Sequence, residues 1–256
     1  VTGLVAAFST VVGLVVGSFL NVVVHRIPRG ESVVRPRSRC PECGMQLAAR
    51  DNVPVVSWLA LRGRCRSCGT AISARYPLVE LVTGVLFGVV ALRMGAEAVL
   101  PAFLVVTAGL VALSAVDLER FLVPNRILYP TLFAAAPLFL AAAVVDSDWA
   151  SLRDATLGGL LGFGILFAVH LVSPRGMGFG DVRLAGLIGV MLGWLGPGHV
   201  FLGLFLGFLL ASVVGLTLIG TGRRGRKDRL PFGPFLAAGA VLAVLVGRPV
   251  LDWYLG

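Results

Sequence analysis

Two aspartates and four cysteines are the residues whose types and spacing could do chemistry in this chain. Asp181 closes the run Gly178-Phe179-Gly180-Asp181, an acid set in glycine at the mouth of an apolar segment. Asp117 lies upstream, in Ser114-Ala115-Val116-Asp117-Leu118-Glu119-Arg120. A carboxylate at the edge of a membrane segment is costly unless it is hydrated, paired or at work. Two of them at matching depth cannot both ionise comfortably, so they share a proton. The ionised one can take a proton from water as it attacks a peptide carbonyl, and the protonated one can polarise that carbonyl or feed the leaving amine. Taken singly, each acid has an ordinary reading: Asp181 as a helix N-cap, Asp117 as an interfacial carboxylate beside Arg120. Which acid plays which part stays open, because such a pair titrates as a unit.

The cysteines stand as Cys40-Pro41-Glu42-Cys43-Gly44 and Cys65-Arg66-Ser67-Cys68-Gly69, two CxxC turns with 21 residues between them. This spacing is close to a zinc-ribbon pattern. Each turn aims two thiolates at one ion, and the following glycine permits a tight turn without a Cβ clash. Four thiolates make a closed, structural zinc site with no open position for water. Disulfides are the rival, disfavoured in a basic loop that faces a reducing compartment. The surrounding segment 26–75 is short and polar, so a metal staple has a physical purpose there.

The elements that must position these residues are membrane helices. The chain has 256 residues, 57% hydrophobic and 14% charged, too little charge to cover a soluble domain. Apolar runs of bilayer-spanning length recur from end to end. They predict an all-α polytopic membrane protein with about eight transmembrane helices, at roughly 2–24, 76–93, 98–117, 127–145, 155–172, 182–195, 200–220 and 231–247. With seven spans after it, the first is not read as a cleaved signal peptide. The organisation expected is a first helix over 1–25, a cytoplasmic zinc-binding loop over 26–75 and a transmembrane core over 76–256. All but three of the 22 lysines and arginines fall on one side of these spans, the exceptions being Arg93, Arg153 and Arg248. The basic side is expected in the cytoplasm, with both termini outside it. That distribution also argues against a nucleic-acid partner for the net charge of +9.

Other polar groups sit at span ends. Asn21 interrupts the first apolar run and reads as an interhelical contact. Glu80 lies one turn into the second span, with structural and functional readings evenly matched. Pro231-Phe232-Gly233-Pro234 prevents a regular helix at the last span's start and enters on the side of the two acids. The run Arg223 to Arg229 reads as a basic anchor. Asn125, after Val123-Pro124, is suited to cap the fourth span.

The ordered set Gly17 to Pro28, the paired Cys-x-x-Cys-Gly turns, Arg75 to Glu80, Val116-Asp117 through Pro124, Gly176 to Asp181 and Pro231 to Pro234 resembles the type IV prepilin leader peptidase family, GxGD-type intramembrane aspartyl proteases. The resemblance runs across nearly the whole chain. It implies an endopeptidase that removes the leader of type IV prepilins and pilin-like precursors at the cytoplasmic face of the inner membrane, with Asp117 and Asp181 as the catalytic pair. For many members it also implies methylation of the new N-terminal amine with S-adenosylmethionine, an activity no residue pattern here supports by itself. Members often carry Asp where this chain has Asn125, and an amide cannot act as a general base, so this position is not a third catalytic acid. The rival from another class is a transporter or channel whose two acids form a proton or ion site. It expects acids near the midplane and repeat symmetry, whereas these acids sit at one edge and no repeat is evident.

Overall fold

The computed structural model describes every residue except Arg175, Arg224, Arg226, Lys227 and Gly256. Among the described residues it is helical throughout, with only two isolated bridges, Arg39 to Gln46 and Arg64 to Ala71. The chain divides into two units, Val1–Ala96 and Glu97–Gly256.

In the first unit, helix α1 (Thr2–Arg26) packs antiparallel on α3 (Arg75–Met94), and the loop between them carries a short helix, α2 (Val56–Ala60). Gly13 and Gly17 let the two long helices touch backbone to backbone: a Cβ at Gly17 would stand 2.6 Å from Glu80 Cα. Small residues serve this purpose in membranes, where lipid is as apolar as leucine and close packing supplies the attraction. Asn21 is the interhelical contact expected, its Nδ2 donating to the Tyr76 carbonyl at 3.0 Å.

The second unit holds α4 (Leu100–Arg120), α5 (Asn125–Asp146), α6 (Trp149–Val172), α7 (Phe179–Gly193), α8 (Pro197–Gly220) and α9 (Gly233–Leu255). The principal pairs are α6 on α7, α8 on α9 and α4 on α5. With α1 and α3 these make the eight long helices expected, and seven of the eight are long and apolar enough to cross a bilayer. The exception is α7, whose 15 residues span about 22 Å against a hydrocarbon core of about 30 Å. It survives because protein surrounds it: Val182, Leu184, Ala185, Leu187, Ile188, Met191 and Leu192 are all buried. Gly158 and Gly162 of α6 face Gly189 and Gly193 of α7, and a Cβ at Gly158 would meet Gly193 Cα at 2.6 Å. This contact fixes the depth and rotation of the helix that begins beside Asp181. The last helix runs past the expected end at 247, through Arg248 and Pro249, to Leu255. Of the basic anchor, Arg224, Arg226 and Lys227 lie outside the described residues.

Candidate active site and metal-binding loop

Asp117 sits in the last turn of α4, which Phe121 terminates with φ 54°, its N–H donating to the Asp117 carbonyl at 2.9 Å. The carboxylate is buried, 4% exposed. Its Oδ2 accepts a hydrogen bond from the backbone N–H of Gly233, 2.9 Å away, at the first residue of α9. The Pro231-Phe232-Gly233-Pro234 stretch therefore does lie against an acid, supplying it a backbone donor from the helix's first turn, where N–H groups have no partner within the helix. The fit there is tight: a Cβ at 233 would stand 3.0 Å from Asp117 Oδ2 and 3.5 Å from Leu184 Cδ2, so the carboxylate would have to shift to admit it.

Asp181 lies in the first turn of α7 and is half-buried. The N-cap of that helix is Gly178, without a side-chain cap bond, so the ordinary reading of Asp181 as a cap does not hold. The Asp181 amide donates to the Gly178 carbonyl at 3.0 Å. Gly233 touches both Asp117 and Leu184, three residues after Asp181, so Asp117 lies against the start of α7. Gly180 brings the two connections together, since a Cβ there would come within 2.9 Å of Val123 Cβ in the link that follows Asp117. Three stretches far apart in sequence thus converge, around residues 117–123, 178–181 and 231–233.

Asn125 does not cap α5. Pro124 occupies the N-cap position with extended backbone, and no side-chain cap bond is made. Asn125 is instead the first helical residue, and its Oδ1 accepts a hydrogen bond from Arg183 Nη1. Arg183 stands in no motif of the sequence. The Arg183 guanidinium lies 4.5 Å from the centre of the Phe179 ring. That ring meets Phe163 and Phe167 edge to face at 6.3 Å and His170 at 5.6 Å. His170 Nδ1 is 2.9 Å from the Met177 carbonyl. A signal was present: a cation near a helix N-terminus opposes the helix dipole, so an arginine two residues after Asp181 asks for a partner.

In the first unit the four cysteine sulfurs lie within 4.8 Å of one another, and all four thiols are free. Cys40 Sγ and Cys68 Sγ are 3.8 Å apart, close to the edge of a tetrahedron with metal–sulfur bonds of about 2.3 Å. The two turns repeat one pattern. Cys40 N donates to Met45 O and Gly44 N to Cys40 O; Cys65 N donates to Thr70 O and Gly69 N to Cys65 O. Gly44 and Gly69 adopt φ of 69° and 73°, the left-handed conformation that glycine makes cheap. The donor set and its size fit a tetrahedral soft-metal site.

Around the sulfurs the loop has little else. Trp58 Nε1 donates to Ile72 O at 3.0 Å, and Arg66 makes a two-pronged contact with Asp51 that holds the Asp51 carboxyl below its ordinary range. Glu80, buried in α3, accepts from the Val55 N–H at 2.7 Å. Val55 has φ 61°, an uncommon conformation for a β-branched residue. The role of Glu80 visible here is to hold the start of α2 against α3.

The type IV leader peptidase family matches residues 104–219, and the bacterial peptidase A24 N-terminal domain matches residues 11–94. The chain is similar to the prepilin leader peptidase/N-methyltransferase of Burkholderia pseudomallei strain 1026b, 39% identical over 279 residues, covering 97% of this chain and 87% of that protein. It is similar to the protein of the same name in Bacillus subtilis strain 168, 36% identical over 243 residues and 95% of each chain. The Myxococcus xanthus strain DK1622 protein is 42% identical over 231 residues, 88% of this chain and 66% of that one. No solved structure matches the chain. Nothing in these relatives favours the transporter reading. The matched stretches take in both aspartates and all four cysteines, and the chain belongs to the type IV leader peptidase family, a family of aspartic proteases.

Proposed function

We propose that this membrane protein is an aspartyl endopeptidase that removes the leader peptide of type IV prepilins and pilin-like precursors, with Asp117 and Asp181 as its catalytic pair. The observation that carries the reading is the meeting of the Asp117, Asp181 and Gly233 stretches, with Asp117 gripped by the Gly233 N–H, in a member of an aspartic protease family. The Gly233 donor orients one oxygen of Asp117 and leaves the other for the proton shared with Asp181. The ionised member of the pair removes a proton from the attacking water. The protonated member hydrogen-bonds the scissile carbonyl, and the proton taken from water then goes to the departing amine. Gly178 keeps its side of Asp181 clear, since a Cβ there would meet nothing nearer than Asp181 Oδ2 at 3.4 Å, so an extended peptide can come close.

The charge asymmetry of the connections supports a plasma-membrane protein with both aspartate-bearing connections and the cysteine loop at the cytoplasmic face. The residues that would hold zinc are Cys40, Cys43, Cys65 and Cys68; the ion would fix the loop and take no part in bond cleavage. The relatives' name joins peptidase to N-methyltransferase. If this chain shares the second activity, S-adenosylmethionine supplies the methyl group for the newly exposed amine, in a site built from helices and turns.

The test is incubation of the purified protein with a pilin-like precursor, with and without S-adenosylmethionine, and mass spectrometry of the product. Cleavage after the glycine that precedes the hydrophobic helix is the expected result, and one added methyl group reports the second activity. An intact precursor under conditions where the protein is folded overturns the peptidase reading.

A further inference from the structure

We infer that Arg183 is a positioning residue for the candidate active site: through its hydrogen bond to Asn125 and its seat on the Phe179 ring, it fixes where Asp181 stands relative to Asp117. The inference rests on the proposed peptidase reading.

The segment that carries Asp181 is held at several points. His170 holds the Met177 carbonyl, and the Phe179 ring packs on Phe163, Phe167 and His170. These contacts fasten the segment to α6, which carries neither aspartate. Toward the other aspartate, Gly180 packs on Val123, a contact with little directional preference. The hydrogen bond from Arg183 Nη1 to Asn125 Oδ1 adds direction. It joins the residue two places after Asp181 to the first residue of α5, eight residues after Asp117. A rotation of the first turn of α7 would move Asp181 relative to Asp117, and it would also break this bond.

The choice of residue points the same way. A guanidinium at the edge of an apolar helix is costly, and near an N-terminus it opposes the helix dipole. The Phe179 face offsets part of that cost, and the amide of Asn125 offers an acceptor of fixed direction. The bland alternative is an arginine that only anchors α7 at the water interface, its stem along apolar surface. The two readings separate at Asn125, because changing that residue leaves the arginine and its charge in place.

The experiment measures kcat and KM for precursor cleavage, the pH–rate profile and the melting temperature in detergent. The variants are Asn125→Ala, Asn125→Asp, Arg183→Met and the Asn125→Ala/Arg183→Met double, with wild type, Arg126→Met and Asp181→Asn in parallel. Misplacement of a reacting group by about 1 Å can cost about a hundredfold, so Asn125→Ala and Arg183→Met should each lower kcat roughly 10- to 100-fold with KM nearly unchanged. The double variant should be no worse than the poorer single, since both remove one contact. The limbs of the pH–rate profile should move, because the coupling between the two acids depends on their spacing. Asn125→Asp keeps an acceptor for Arg183 and should retain the wild-type rate. Arg126→Met removes the exposed neighbouring cation and should also behave as wild type. Wild-type kcat in Asn125→Ala, or a loss confined to melting, overturns the inference and leaves the peptidase reading standing. Cleavage retained in Asp181→Asn, or absent from folded wild type, overturns that reading and this inference with it.

Discussion

The cysteine loop and the aspartate site both hold polar groups at set distances in a mostly apolar chain, and they do it by opposite means. The loop is local. Each CxxC turn carries its own backbone hydrogen bonds and its own left-handed glycine, so four sulfurs gather within 4.8 Å with little help from outside the segment. The aspartate site is assembled at long range: the Gly233 amide that binds Asp117 is 116 residues away from it in sequence. Its geometry is set by where helices cross, through contacts such as Gly158 and Gly162 on Gly189 and Gly193. A local site can be lost by changing one ligand. A packed site can be lost by changing a residue that touches no substrate.

The largest effect is expected from the acids themselves. Asp117→Asn or Asp181→Asn removes the shared proton and should lower cleavage by roughly 10²- to 10⁴-fold, the usual contribution of positioned acid–base groups. Asparagine keeps the shape and still offers an oxygen to the Gly233 N–H, so both variants should insert and fold. Initial rates beside melting curves check this; substantial cleavage in either variant removes it from the pair. Next comes Gly233→Ala, which separates long-range assembly from chemistry. The new methyl would press on Asp117 Oδ2 and Leu184, so kcat should fall roughly 10- to 100-fold with both carboxylates intact. A wild-type rate would show that the approach of α9 to Asp117 is not needed.

The loop should respond differently. Purified protein should carry about one zinc ion per chain if the four thiolates bind as a set. Cys40→Ser or Cys68→Ser should abolish that stoichiometry and open residues 26–75 to proteolysis, because the loop's folding energy is largely the metal's. Cleavage should fall only a few-fold beside the Gly233→Ala loss, since the second unit keeps its own packing. Metal analysis, limited proteolysis and rates on one preparation decide it. A metal-free loop with unchanged protease resistance would contradict the structural role.

What could be read from the sequence follows the same division. The sulfur cluster was legible because spacing alone encodes it. The meeting of the connections that hold Asp117 and Asp181 with Pro231 to Pro234 was legible because charge and hydropathy put three helix ends on one side. The contacts among those ends were not. Helix α7 is apolar and buried nearly all round, so its sequence carries no stripe from which to infer rotation, and Arg183 could not be aimed at Asn125. The misreading of Asn125 came from a local rule applied one residue off: Pro124 takes the N-cap position and leaves the asparagine side chain to a distant partner. Glu80 was undecided for a similar reason, since its partner is a backbone N–H in a loop whose path the sequence does not reveal.

The smallest expected effect sharpens the claim that metal dominates the loop. Asp51 and Arg66 form its clearest ion pair, with Arg66 Nη2 at 2.7 Å from Asp51 Oδ1. The hydrogen bond from Arg66 lowers the Asp51 pKa in the folded loop. A group depressed on folding contributes stability that is present above its unfolded value, about 3.9 for aspartate. That contribution is lost as pH falls through the lower, folded value. Asp51→Asn should therefore weaken the loop slightly at neutral pH and make no difference at the acid extreme, where the carboxyl is protonated in both states. The thiolates protonate and release metal well before that extreme, so the comparison belongs above pH 6 with zinc bound. There, proteolysis rates of residues 26–75 in Asp51→Asn should stay close to wild type, because a pair whose guanidinium stays half in solvent contributes little. A loss of protease resistance as deep as that of Cys68→Ser, with zinc still bound, would show that the loop is held by its surface charges and not by its sulfurs.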